Sequence, residues 1–201
     1  MTGIESIKSA AWRAIDARKN WLIGIAKEIL VNPEPGFFEH RTAGFVSQKL
    51  DELKIPHRTG IAVTGIIGII SGKNPGPTVA VIGELDSLRL SGHIYADKDT
   101  NAAHACGHHC QLGMMLGAAV GLQAAGVMDN LFGDVALMAL PAEEFIDVEY
   151  RYGLHKSGDI EFMSGKQEFI RVGAFDDVDI AMMTHTSPLG DGKFSIGGTT
   201  N

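Results

Sequence analysis

The chain holds only two cysteines in 201 residues, and no apolar run in it approaches the ~20 residues that a membrane-spanning helix needs. Its start, MTGIESIKSAAWRAIDARKNWLIGIAKEIL, carries charges throughout and lacks the basic head, apolar middle and small-residue cleavage site of an export signal. The expected compartment is therefore the cytoplasm, where a Cys106–Cys110 disulfide is disfavoured. The C-x3-C spacing is also not that of a C-x-x-C redox pair. No block of consecutive basic residues occurs and the formal net charge is −7, which excludes nucleic acid and anionic membranes as general partners. There is no G-x-S-x-G elbow, no G-x-x-x-x-G-K-[ST] loop and no H-E-x-x-H pair. Serine-hydrolase, P-loop and zincin chemistries go with them.

What remains is a globular composition, 45% hydrophobic and 20% charged. Helical spacing of Ile4, Ile7, Ala11, Ile15, Trp21, Leu22, Ile25 and Ile29 predicts a helix over 4–30, ended by VNPEPGFFEH. A second helix is expected over 41–53. The stretches IAVTGIIGIISG and TVAVIGEL then read as two strands joined by a tight hairpin at KNPGP. GHHCQLGMMLGAAVGLQAAGV has the small and apolar residues of a buried helix, GDVALMALPAEE is a further strand ending in acids, and VDIAMMTH is another ending in histidine. A mixed segment over 149–177 holds at least one helix, and GDGKFSIGGTTN reads as a strand beginning or a hinge. Alternating strands and helices predict an α/β fold, a mixed sheet with helices on both faces.

In such sheets the reactive groups collect beyond the carboxyl ends of the strands. Three strands end on polar clusters here: Glu84 and Asp86, Glu143 and Glu144, and His185. The densest cluster, HACGHHCQ at 104–111, opens the intervening helix. Cys106 and His108 are one residue apart and are good ligands for zinc and similar ions. A closed structural zinc site would need a second Cys or His pair, which is missing. Adjacent carboxylates repel, so the pair in PAEEF calls for a cation or for divided roles. A hydrolytic metal site needs both: one carboxylate on the metal, one free to take a proton. Taken alone, EE is a solvated loop, Asp86 a turn residue and His185 a surface residue. Their shared position at one end of the sheet is what gives them weight. A Cys–His nucleophile at HACGH would leave the glutamates unexplained. His104 and His109 flank the presumed ligands as supporting or substrate-facing groups, and Cys110 packs as a small apolar residue.

HACGHH...MMLGAA followed by GDVALMALPAEE resembles the HACGHD...LLGAA and PAEE motifs of the M20 metallopeptidase and amidohydrolase family, in its aminoacylase-like branch. VNPEPGFFEHRTA resembles that branch's HPELGFEE stretch, and GELDSL its DMDALP. The resemblance covers most of residues 20–186. It implies a zinc-exopeptidase type of fold and two divalent ions, zinc or manganese. It also implies Cys106, His108, Glu144 and His185 as ligands, Glu143 as general base and Asp86 in support. The implied reaction is hydrolysis of the amide bond of a small N-acyl amino acid or dipeptide. His109 stands where the family has aspartate, Gln111 where it often has histidine, and Arg89 where it has proline.

Family members continue with an inserted lid domain, often a homodimer contact, and then a return segment bearing a last histidine ligand. Residues 1–201 are accordingly expected to be the N-terminal part of the catalytic domain, truncated before the lid and inactive alone. A metal-binding scaffold without catalysis is the competing expectation. Retention of a base at Glu143 argues against it.

Overall fold

The computed structural model describes residues 3–186 and residue 192. The expected strand or hinge at 190–201 lies outside the described residues, apart from residue 192. Three helices come first: α1 (Gly3–Ala17), α2 (Lys19–Leu30) and α3 (His40–Glu52). The hairpin β1 (His57–Ile61) and β2 (Gly65–Ile70) follows, then β3 (Asn74–Glu84) and a two-stranded ribbon of β4 (Leu88–Arg89) and β5 (Ala102–Ala103). Helix α4 (His108–Leu122) leads through a short 3-10 turn to β6 (Phe132–Leu140). Helices α5 (Val148–Ser157) and α6 (Gly165–Arg171) precede β7 (Ile180–Met183). No helix among the described residues is long and apolar enough to cross a membrane.

The five-stranded sheet has the order β1-β2-β6-β3-β7, with β3 parallel to both β6 and β7 and β2 antiparallel to β1 and β6. It is a mixed sheet flanked by helices. Strand alternation sorts its side chains. Val135, Leu137 and Ala139 of β6 join Ile66 and Ile70 in the core beneath α2, α3 and α4. Ala136, Met138 and Leu140 face the other way, against Phe169 of α6 and the Phe175 loop.

Two expectations about the elements need correction. β2 and β3 are not paired with each other: β6 lies between them, and the tight hairpin is instead β1–β2. β6 is apolar on both faces, and a strand of that kind gains most in the middle of a sheet. Ser71–Lys73 therefore cross its end, where the Gly72 amide donates to Asp134 Oδ1 at 3.0 Å. The segment expected as a turn, Asn74–Pro77, is the start of β3, with a register shift before Thr78. The first helix is also two, broken at Arg18. Both halves pack on α4. A straight rod over 3–30 would be about 42 Å long at 1.5 Å per residue, about twice the length of its partner. Gly113, Gly117 and Gly121 of α4 let Leu22, Ala26, Ala11 and Ile15 come close.

Leu137 is fully buried in the central strand, whereas Phe132 at the start of the same strand is 71% exposed. Leu137→Ala is expected to cost about 2–5 kcal/mol of unfolding free energy, read by urea denaturation. Phe132→Ala is expected to stay within about 0.5 kcal/mol.

Candidate metal centre

Because β3, β6 and β7 run in parallel, their carboxyl ends meet. Beyond β3 lies Asp86, beyond β6 lie Glu143 and Glu144, and beyond β7 lies His185. Cys106 and His108 enter from the turn that starts α4. That turn depends on Gly107, whose φ of +100° is left-handed and whose missing Cβ would lie 2.3 Å from Thr186 Oγ1. Thr186 Oγ1 donates to the Cys106 carbonyl at 2.9 Å, tying the end of β7 to this turn.

His108 is the hub, 1% exposed. Its Nδ1 donates to the Asp86 carbonyl at 2.9 Å and lies 3.2 Å from Asp86 Oδ1, which fixes the tautomer and leaves Nε2 facing inward. Nε2 is 3.1 Å from Glu84 Oε2, 3.8 Å from Glu143 Oε2 and 3.9 Å from Glu144 Oε1. His185 is set the same way: Nδ1 donates to the Thr186 carbonyl at 2.8 Å, and Nε2 lies 3.3 Å from Cys106 Sγ. Asp86 also accepts the Glu144 amide at 2.9 Å.

The electrostatics follow from four acids around one imidazole. Burial opposes a charge on His108, but Asp86 and Glu84 outweigh it and push its pKa up to about 11. Burial likewise disfavours ionised Glu84, yet His108 and Lys166 bring it down to about 2. Burial, then the neighbouring Glu143 charge, raises Glu144, whose carboxyl lies against the Cys106 thiol. Burial and that carboxyl raise Cys106.

The residues fit a cation. Among the described residues, His108 Nε2, Glu144 Oε1 and Asp86 Oδ1 are buried without a hydrogen-bond partner. Two ligand triads have their donor atoms within 4.8 Å of one another: Cys106, His108 and His185, and Glu84, His108 and Glu143. The first offers sulfur and nitrogen, the preference of zinc; the second offers mostly oxygen, which suits harder ions.

All six expected site residues, Asp86, Cys106, His108, Glu143, Glu144 and His185, thus come together. Sequence reasoning placed Glu84 at the strand end but not among the ligand atoms. It also missed Glu39, Arg151 and Lys166, which belong to no motif of chemistry. Glu39 and Arg151 hold the PAEE loop, where Ala142 has a left-handed φ of +48°. Buried Glu39 accepts from the Ala142 amide at 2.8 Å and from Thr64 Oγ1 at 2.7 Å. Arg151, fully buried, donates to the carbonyls of Met163 at 2.7 Å and Glu144 at 2.5 Å and lies over Phe37. The three departures have structural places. Gln111 Oε1 accepts the Glu84 amide at 2.7 Å, and Arg89 Nε donates to both Asp147 oxygens at 2.8 and 2.9 Å. His109 neighbours buried His104, whose pKa burial and the adjacent imidazoles lower to about 3.

No family model matches the chain. It is 35% identical to the IAA-amino acid hydrolase ILR1-like 5 of Arabidopsis thaliana over 62% of its own length and 29% of that protein. It is 28% identical to an N-acyl-L-amino acid amidohydrolase of Geobacillus stearothermophilus over 92% of its length and 46% of that protein. Its fold matches the Bacillus subtilis YXEP protein, described as a dinuclear metal binding peptidase from the M20 family, with a TM-score of 0.70 and 24% identity. That match covers 87% of this chain and 45% of the other. The chain's sequence likeness is thus to IAA-amino acid and N-acyl amino acid hydrolases, and it shares the fold of an M20-family peptidase. It spans less than half the length of the relatives it matches.

Burial, then the charge of Asp86, pushes the Glu39 pKa from an ordinary 4.5 to about 8. The native state therefore holds a proton that the unfolded chain releases in this window, and stability falls as pH rises from 4.5 to about 8. Glu39→Gln is expected to gain on the wild type by a few kcal/mol, in order of magnitude, across that window, as read by urea denaturation at several pH values.

Proposed function

We propose that this chain forms the metal-binding part of the catalytic domain of a cytoplasmic, metal-dependent amidohydrolase. Its substrate is a small N-acyl amino acid or dipeptide, in keeping with what the relatives' names describe. The observation that carries the reading is the pair of ligand triads that meet at His108, with a second glutamate alongside.

Cys106, His108, His185 and Glu144 would hold one ion, and Glu84 would face a second beside it. Bound there, divalent zinc or manganese supplies Lewis acidity toward a carbonyl oxygen and toward water. Glu143 is the general base: a carboxylate oxygen accepts the proton of the attacking water and delivers it to the departing amine nitrogen. Asp86 orients His108 through Nδ1 and anchors the Glu144 backbone, so it positions both. A binding scaffold without catalysis has no use for a carboxylate placed as Glu143 is.

Elemental analysis beside an N-acetyl amino acid hydrolysis assay tests this on the protein in its full natural length. Cys106→Ala is expected to lose metal. Glu143→Gln is expected to keep it while hydrolysis falls by about 10²–10⁴-fold. Full metal in the first variant refutes the centre, and full activity in the second refutes the base.

A further inference from the structure

One triad already has a cation on it. Lys166, in the first turn of α6, places Nζ 2.5 Å from Glu84 Oε1 and 3.3 Å from Glu143 Oε1. Both carboxylates are grouped with His108 in the second triad. The other oxygens of the two carboxylates, Glu84 Oε2 and Glu143 Oε2, lie toward His108 Nε2. The Cys106–His108–His185 triad has no such ammonium against it among the ion pairs of the described residues.

The two sites are therefore unequal before any ion arrives. An ammonium and a divalent ion cannot both sit against the buried Glu84 carboxylate without cost, because like charges a few ångströms apart repel strongly in a partly buried site. Lys166 can leave. Its side chain is 37% exposed and ends a flexible four-carbon stem, while Glu84 is 1% exposed and fixed by the Gln111 contact at its backbone. A lysine ammonium is charged at neutral pH, so a full positive charge competes.

We propose that Lys166 is a built-in competitor for the second cation. The thiolate-containing triad loads first, and the position beside Glu84 accepts its ion only by displacing the Lys166 ammonium. This rests on the metal-centre reading above and adds to it an order and a threshold. At low metal the centre carries one ion and an ammonium, and at higher metal it carries two ions. The residue also biases the second position toward ions able to outcompete a monovalent charge for two carboxylates.

The test is a metal titration of the chelator-stripped protein in its full natural length. Cobalt(II) is the probe, because the thiolate-to-cobalt absorption band reports the Cys106 site separately from total binding measured by calorimetry. The wild type is expected to bind in two steps, the band saturating in the first. Lys166→Met is expected to tighten the second step by about tenfold or more and leave the first within about twofold. Lys166→Arg, which keeps the charge, is expected to behave as the wild type. A thermal melt of each metal-free variant verifies folding. A wild type that binds one ion while Lys166→Met binds two also supports the proposal. A second step that is unchanged, weaker or still absent in Lys166→Met overturns it, as does an arginine variant that behaves like methionine. Binding of no cobalt by any of the three proteins refutes the metal centre itself.

Discussion

The parallel pairing of β3 with β6 is the constraint on which the centre depends. In its register Glu84 lies opposite Leu140, so the acids after each strand emerge at the same height. β7 continues the same sense on the other side of β3, with Ile82 opposite Met183, and brings His185 to that height. An antiparallel β3–β6 pair would send Glu143 and Glu144 to the far end of the sheet. The apolar character of β6 on both faces puts it in the middle and displaces β2 from β3.

Burying Glu84 and Asp86 against one imidazole is costly unless positive charge is nearby. The chain supplies three local compensations. His108 contacts both acids, Lys166 contacts Glu84 and Glu143, and Arg151 is buried under the PAEE loop. Arg151 acts through carbonyls, so its charge reaches Glu39, Asp86 and Glu144 as a field rather than as a salt bridge. The strained φ at Ala142 persists because Glu39 holds its amide while Arg151 and the Gly165 amide hold its carbonyl.

Much of this was legible in the sequence. Apolar runs ending in acids or histidine identified β3, β6 and β7, and the rule that reactive groups gather at strand ends drew Asp86, Cys106, His108, Glu143, Glu144 and His185 together. Strand order was not legible. Neighbouring apolar runs such as 65–70 and 78–84 favour a hairpin locally, and only competition with β6 for the central position overturns it. The break at Arg18 was hidden because the apolar period runs through it without glycine or proline. Lys166 and Arg151 were invisible for another reason. Each lies in a segment without motif or periodicity, and their partners are set by where α5 and α6 land on the sheet.

β7 bonds to β3 on one side only among the described strands, and all four of its residues are exposed. One ligand of the thiolate triad thus lies just beyond a strand that, among the described residues, is held by β3 alone. An ion gripped between Cys106 and His185 also fastens this edge. Its apparent affinity is the intrinsic coordination discounted by the fraction of time the strand is docked. The same linkage makes the amide protons of β7 a gauge of metal occupancy, exchanging more slowly as the ion closes the edge like a rivet.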